Sequence, residues 1–169
     1  MTKRVLLAGL LLAAPAICAA GSEPAAIDAK AAFDRLRSLA GEWQAQTDRG
    51  KLNVTYEVIA GGSALVERQL PEGMPAMQTV YHLDGSRLLL THYCMLGNQP
   101  RMEARADDPA SGELKFEFRD VTNLATPGAL HMHNGAFRFV DSEHSVGEWQ
   151  FFENGQLRKA ESFQFKRVK

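Results

Sequence analysis

The dipeptide Asp84-Gly85 lies between two short runs of β-branched, aromatic and leucine residues, at 77–83 and 87–95. Two such turn residues between apolar runs are the strongest short-range signal of a β-hairpin. The second run contains His92 and Cys94 near its end. The pattern therefore predicts a hairpin near the middle of the chain, with two chemically reactive side chains at one end of it.

Short apolar runs separated by turn residues continue on both sides of this hairpin. A helical spacing of apolar residues occurs before them, at 27–39, and ends at Ala40-Gly41. A long antiparallel meander protects its edges by closing. We therefore predict a mainly β fold, an antiparallel up-and-down barrel of about ten strands with a short N-terminal helix. The predicted strands are 42–47, 52–59, 64–70, 77–83, 87–95, 101–106, 114–120, 130–140, 146–153 and 158–168.

The first 20 residues have the composition of a secretory signal peptide. Two basic residues precede an apolar run at 5–12, and small residues follow up to Ala20. The run is shorter than the roughly 20 residues that cross a membrane, so we expect no transmembrane segment after cleavage. These features predict an exported protein, periplasmic or secreted. Lipid attachment at Cys18 is less favoured, because the bulky Ile17 precedes it.

The remaining chain has the size and composition of one globular domain. The predicted organisation is a signal peptide at 1–20, a linker and helix at 21–40, and a barrel domain at 41–169. The formal net charge of -1 provides no basic stripe, so we expect no nucleic-acid partner. Cleavage leaves Cys94 as the single cysteine, so stability cannot depend on an internal disulfide. The oligomeric state stays open.

Alternation along the predicted strands indicates which side chains face the interior. Leu114, Phe116 and Phe118 alternate with charged residues, as in a half-buried strand. The expectation fails wherever a bulge occurs, because a shift of one residue reverses the orientation of the side chains that follow. Four reactive side chains share a parity with apolar neighbours and are expected to point inward: His92, Cys94, His131 and His133.

The first and last strands of the predicted barrel each contain one residue of a recognisable pair. Gly41-Glu42-Trp43 follows the helix and opens the first strand, and Arg167 lies in the last strand. This pattern resembles the calycin superfamily, which includes the lipocalins and the fatty-acid-binding proteins. The resemblance implies that Arg167 lies over Trp43 and helps to close the barrel. A guanidinium over an indole ring gains from cation–π attraction.

The segment from Thr91 to Met102 resembles a group of exported bacterial lipocalin-like proteins of unknown function. The resemblance extends from about 33 to 168 and implies a fold without an activity. More distantly, the chain is similar to nitrobindin-type barrels, in which a histidine of a late strand holds haem iron. That likeness implies a haem ligand among His131, His133 and His144, with none of the three singled out.

The residues favour non-catalytic binding of a small, largely apolar molecule, because apolar walls with a few polar groups are typical of ligand sites. No nucleophile elbow, phosphate loop or dinucleotide motif supports an enzyme. The ion pairs expected on the strands are cross-strand pairs, Glu67 included. The expected anchors are His92, Cys94, Arg101, His131 and His133, and the expected walls are Tyr56, Tyr81, Phe116, Phe118, Phe137 and Phe139.

Two other functions remain open at this stage. One is a haem- or metal-binding barrel that uses His131 and His133, with His92 or Cys94 as a further ligand; zinc or copper would suit such donors. The other is a structural or interaction barrel whose interior is filled by side chains. Small inward residues would favour a cavity, and Gly135 is the clear one. We expect no cofactor as the leading case.

Overall fold

The computed structural model describes residues 27–168 apart from residue 109, and the side chain of residue 106 is not described. The predicted signal peptide at 1–20 and most of the predicted linker lie outside the described residues. Among the residues described, no helix is long and apolar enough to cross a membrane.

Helix α1 spans Ala29–Arg37 and is preceded by an N-cap. The side chain of Asp28 accepts a hydrogen bond from the backbone N–H of Ala31 at 3.0 Å, which satisfies one of the free donors of the first turn. Its apolar residues recur at helical spacing and join the same core as the barrel interior. The helix therefore covers the end of the barrel at which the first strand begins. Its buried residues are Ala29, Ala32, Phe33 and Leu36.

Ten strands follow the helix, and each differs from its predicted position by a few residues at most. Glycines with positive φ supply the turns, as at Gly85 with φ 59° in the hairpin that the sequence predicted. The strands are β1 Gly41–Thr47, β2 Gly50–Ile59, β3 Ala64–Pro71, β4 Met77–Asp84, β5 Arg87–Tyr93, β6 Gln99–Asp108, β7 Glu113–Thr122, β8 His131–Phe139, β9 His144–Glu153 and β10 Gln156–Arg167.

Every strand pairs antiparallel with its neighbours in the chain, and β1 pairs with β10 to close the sheet. The predicted fold class is confirmed: the protein is a closed ten-stranded antiparallel barrel with one short N-terminal helix. Odd-numbered strands run away from the helix, so the turns that follow them lie at the opposite end. We call that end the mouth; it is formed in part by the turn 94–98 and the connection 123–130.

The junction of β1 and β10 is reinforced by one arginine. Trp43 and Arg167 are register partners, and the guanidinium carbon lies 4.3 Å from the centroid of the indole. Arg167 also donates to the carbonyls of Ser38, Ala40 and Ser142 at 2.9, 2.8 and 2.8 Å. One side chain thus joins the segment after the helix, the first strand and the last.

Aromatic side chains fill one part of the barrel. The rings of Tyr81, Phe116 and Phe137 contact one another at centroid distances of 6.0 to 6.4 Å. The space beside Gly135 is occupied by the indole of Trp149, since a Cβ built there would lie 2.2 Å from a ring atom. Gly135 therefore accommodates an aromatic ring and does not provide a cavity.

The alternation predicted for β8 is wrong in its first half. The register of β8 against β9 shifts between Met132 and Asn134, which is a β-bulge at His133. His131 and Met132 are consecutive residues and are both buried, with exposed fractions of 7 and 3%, whereas His133 is half-buried. Because the bulge adds a residue, the parity that holds from Gly135 onward cannot be extended back to the two histidines.

Candidate functional site

Four polar side chains stand side by side on the inner face of strands β2 to β5. The register pairs Tyr56 with Glu67, Glu67 with Thr79, and Thr79 with His92. All four are buried, with exposed fractions of 1 to 3%. Register partners in adjacent strands are close enough for their side chains to interact. We refer to Tyr56, Glu67, Thr79 and His92 as the polar row.

The carboxyl group of Glu67 is the centre of a buried hydrogen-bond network. The hydroxyl of Tyr81 donates to it at 2.6 Å and the amide of Gln69 donates at 2.7 Å. Burial raises the pKa of Glu67, while hydrogen bonds from Tyr81, Gln69, Thr79 and Tyr56 oppose that rise. Burial beside this carboxyl also holds the pKa of both tyrosines well above their usual value, so they remain donors.

His92 is linked to this network through one of its two ring nitrogens. Its Nδ1 lies 2.9 Å from the hydroxyl oxygen of Thr79. With the Thr79 hydrogen directed to Glu67, the Thr79 oxygen accepts from Nδ1–H, and the Nε2 of His92 carries a lone pair. Burial lowers the pKa of His92 to about 4, so the ring is neutral at pH 7.

The Nε2 of His92 is buried and has no hydrogen-bond partner among the described residues. Leaving a buried polar atom without a partner costs about 1–3 kcal/mol. Native structures contain few such atoms, and each calls for an explanation. The far side of the same ring is fixed by Thr79, so the ring is held in one orientation with its lone pair in the barrel interior.

Asn98 presents a second buried acceptor, at the end of the turn that follows β5. The backbone N–H of Cys94 donates to the carbonyl of Asn98 at 3.1 Å, which closes the turn 94–98 directly beyond β5. The side-chain nitrogen of Asn98 donates to the carbonyl of Leu130 at 3.0 Å. Because a carbonyl can only accept, the amide orientation is determined. Its Oδ1 is then the atom that is buried without a partner among the residues described.

The mouth is covered on this side by two connected segments. Besides the contact of Asn98 with Leu130, the side chain of Asn123 donates to the carbonyl of Gly97 at 2.6 Å. These hydrogen bonds join the turn 94–98 to the connection 123–130. A molecule that reaches His92 from the mouth must therefore displace or pass beside these segments.

His131 and His133 form a second cluster, at the point where β7 and β8 cease to pair. The ladder ends with Phe116 and Gly135, although both strands continue towards the mouth. The ring of His133 is stacked between those of Phe118 and Phe152, each at a centroid distance of 4.1 Å. This aromatic cluster of Phe118, His131, His133 and Phe152 lies outside the main core.

The two histidines of this cluster are hydrogen-bonded to each other. The Nδ1 of His131 lies 2.9 Å from the carbonyl of Ala129, and its Nε2 lies 3.1 Å from the Nδ1 of His133. With both rings neutral, each Nδ1 carries the hydrogen, because the carbonyl can only accept. The Nε2 of His133 is then the nitrogen left with a lone pair. Burial, and secondly the charge of His131, lowers the pKa of His133.

Cys94 does not lie where the sequence placed it. Strand β5 ends at Tyr93, so Cys94 belongs to the turn 94–98 and is half-buried rather than part of the inner face. Burial raises the pKa of its thiol, and the backbone amides of Leu96 and Met95 only oppose that rise. A raised pKa disfavours the thiolate and therefore a nucleophile.

Arg101 faces Asp120 on the outer surface. Its guanidinium makes two hydrogen bonds to that carboxylate, one of them 2.7 Å long, and both side chains are about half exposed. The position expected for an anion anchor is thus occupied by an ordinary surface ion pair.

Most of the aromatic residues expected as walls belong to one core, and their rings fill it. Tyr81 contacts Phe116 and Phe137, and both Tyr81 and Tyr56 are hydrogen-bonded to Glu67. Phe139 is half-buried beside Phe137, with the guanidinium of Arg35 at 4.7 Å from its ring centroid. Phe118 is the exception, because it stacks on His133.

Glu67 was not predicted as a site residue, because its alternation with apolar neighbours predicted a cross-strand ion pair. The signal was present, because Leu65, Glu67 and Gln69 share a parity and Leu65 is the kind of residue that faces inward. One of the strand carboxylates makes the expected cross-strand contact: Glu103 lies 3.7 Å from Arg119 of β7, and it also lies 3.2 Å from Arg105 of its own strand.

Comparison with known proteins yields a fold and no family. No protein-family model matches the sequence, and no curated protein matches it. Among solved structures, the chain is similar to the crystal structure of Rv2717c from M. tuberculosis, with a TM-score of 0.56 and 13% identity over 82% of this chain and 98% of that one. At this identity the likeness concerns the barrel fold alone.

Proposed function

We propose that the protein is an exported, non-catalytic binding protein that holds one small molecule at the mouth of its barrel, with His92 as the polar anchor. The observation that carries the proposal is the buried Nε2 of His92, which is oriented by Thr79 and has no partner among the described residues. Ligand sites of this kind combine an apolar enclosure with a few fixed polar groups. The composition of residues 1–20 supports export.

The ligand is small, because the other part of the barrel is filled. Trp149 occupies the space beside Gly135, and Phe116 and Phe137 pack on Tyr81. The proposed position of the ligand is therefore near β4, β5 and the turn 94–98, beside His92. A molecule bound there would complete the hydrogen bonding of His92 and offset the cost of its desolvation.

The test is native mass spectrometry of the mature protein purified from its own host. The wild-type protein should carry an organic molecule that His92→Gln loses. His82→Gln is the matched control, since His82 is half-buried at the opposite parity of the neighbouring strand β4. A bare protein mass for all three would reject binding and favour a structural barrel with a filled interior.

A second candidate function is haem or metal binding at His133. The observation in its favour is the chain from Ala129 through His131 to His133, because a hydrogen bond to the far nitrogen is what orients metal-bound imidazoles. No group of three potential metal-binding side chains occurs among the residues described. The cluster therefore suits a metal complex that brings its own ligands, such as haem, better than bare zinc or copper.

This second function has its own measurement. An absorbance spectrum and metal analysis of the same purified protein should show a Soret band or a stoichiometric metal that His133→Ala removes and His144→Ala retains. His144 is exposed and paired with Asp141 at 3.0 Å, so it controls for the loss of an imidazole. Protein without colour and without metal would rule this candidate out.

A further inference from the structure

The two unpartnered buried atoms at the mouth are both hydrogen-bond acceptors. Since the Thr79 hydroxyl also hydrogen-bonds the carboxyl of Glu67, we assign its hydrogen to Glu67; the Thr79 oxygen then accepts from Nδ1–H of His92, and the Nε2 carries a lone pair. The Oδ1 of Asn98 is an acceptor because the amide nitrogen is engaged by the carbonyl of Leu130. The exposed fractions of the two residues are 1 and 3%. They lie on the two arms of the turn 94–98, with His92 before it and Asn98 at its end.

The charges around these acceptors are unfavourable for an anion. The nearest ionisable side chain in the network is the carboxyl of Glu67, joined to His92 through Thr79. Among the buried charged and polar residues described there is no lysine or arginine. Arg101, the cation nearest in sequence, is paired with Asp120 on the outer surface. A carboxylate placed here would meet lone pairs and the carboxyl of Glu67 without a compensating cation.

We infer, on the basis of the proposed function, that the ligand presents a neutral hydrogen-bond donor to this site, a hydroxyl or an N–H, and neither a carboxylate nor another anion. Such a group donates to Nε2 of His92, and a second donor satisfies Oδ1 of Asn98. The site thus favours ligands that donate a hydrogen bond over ligands that can only accept one. A ligand without a donor leaves at least one buried acceptor unpaired.

His92 itself enforces this choice. Its ring stays neutral at pH 7, so it cannot supply a positive charge to an anion without first taking up a proton in the buried interior. The hydrogen bonds among Thr79, Glu67 and their partners also disfavour the other tautomer of His92, in which Nε2 carries the hydrogen. Thr79 is shared between His92 and Glu67, and Glu67 already receives donors from Tyr81 and Gln69.

The experiment compares three probes of similar size: phenol, toluene and benzoate. The mature full-length protein is labelled with nitrogen-15 histidine, and the Nε2 resonance of His92 is assigned by its loss in His92→Gln. Phenol should shift that resonance and bind about tenfold more tightly than toluene, which is the effect of one buried hydrogen bond. Benzoate at pH 7 should leave it unchanged.

Variants locate the preference. In Asn98→Leu the tenfold preference of phenol over toluene should shrink, whereas Asn123→Leu, which loses a mouth contact without an unpaired acceptor, should keep it. Folding of each variant is verified by its thermal transition. If His92→Gln does not fold, the resonance is assigned by elimination from His82→Gln, His131→Gln, His133→Gln and His144→Gln, and the Nε2 of His92 must still resonate as an unprotonated nitrogen.

The outcomes separate the inference from the proposed function. Equal binding of toluene and phenol, or preferred binding of benzoate, overturns the donor requirement and leaves a binding site at His92. A protonated Nε2 in the wild-type protein also overturns it. Binding of none of the probes, together with a bare mass in native mass spectrometry, rejects both.

Discussion

At the scale of single residues, His92 connects the chemistry of the barrel to its stability. A histidine that is buried and neutral when folded, but exposed when unfolded, makes the unfolded state the better proton acceptor. Burial lowers the pKa of His92 in the folded protein to about 4, from an ordinary value of 6.5. The ring is therefore neutral in the folded protein at neutral pH. In acid, protonation of His92 in the unfolded state destabilises the folded protein.

We predict that the free energy of unfolding decreases as the pH falls from 6.5 to 4, in part because of His92. The gap between the two pKa values corresponds to about 3 kcal/mol. Chemical denaturation at a series of pH values checks this in the wild-type protein and in His92→Gln, which should lack this part of the decrease.

His82→Gln shows what the loss of a half-buried imidazole does by itself. Other groups with shifted pKa, such as Asp34 and His133, are present in every variant, so the comparison isolates His92. If His92→Gln has the same acid profile as the wild-type protein, the buried neutral ring described above is wrong.

Which residues occupy the site was harder to predict than the fold. Burial of His92 followed from alternation with Leu88 and Leu90, because β5 has no bulge before Tyr93. Glu67 and Asn98 did not stand out, because a carboxylate and an amide are usually exposed. Their burial depends on partners in other strands and loops, Tyr81 for one and Leu130 for the other, and the spacing along one strand carries no information about these contacts.

At the scale of the elements, close contacts between strands determine which residues can be tolerated. In β8, Gly135 faces the indole of its register partner Trp149. In β9, Gly147 has the nearest atom of Phe165 at 3.3 Å from the position of a Cβ. The two glycines therefore differ in how much room an added methyl group would find.

We predict that Gly135→Ala destabilises the protein by about 1–3 kcal/mol, because the methyl group overlaps a packed ring. Gly147→Ala, the matched control, should cost less, because Phe165 has to move by only a few tenths of an ångström. Urea denaturation of both variants measures the difference. Equal losses would show that Trp149 adjusts freely and that this part of the interior is loosely packed.

Strand positions could be predicted to within a few residues, because tight turns and alternation are local signals. The bulge at His133 could not, since it depends on the register between β8 and β9. The early end of the β7–β8 ladder is also a matter of register. These two features, and not any error in the strand assignment, place His131 and His133 in a cluster with Phe118 that the alternation along β8 did not predict.

At the scale of the whole molecule, closure of the barrel depends on the junction of its first and last strands. Strands β1 and β10 are paired through two residue pairs, whereas β1 and β2 are paired through seven residue pairs. Arg167 compensates for this short ladder through three backbone carbonyls and the ring of Trp43. A lysine retains the charge but cannot reach several acceptors in one plane.

We predict that Arg167→Lys lowers the free energy of unfolding by about 2 kcal/mol, the effect of losing hydrogen bonds from a charged group. Arg158→Lys is the control, because Arg158 is exposed and lies 3.7 Å from Glu153 in the same strand pair. Denaturation by urea measures both. A loss no larger than that of the control would mean that the β1–β10 junction holds without Arg167.

The incomplete pairing of β7 and β8 has a mechanical consequence. The ladder stops at Phe116 and Gly135, and from there to the mouth the wall of the barrel resembles a cylinder with a slit along one side. An intact cylinder resists widening because every joint must stretch. A slit cylinder widens by bending its wall along the line opposite the slit. Any widening of the mouth is therefore expected at the aromatic cluster, where ring stacking and one hydrogen bond, from the Phe118 N–H to the Asn134 side chain at 3.1 Å, replace the ladder, while the end under the helix keeps its circumference.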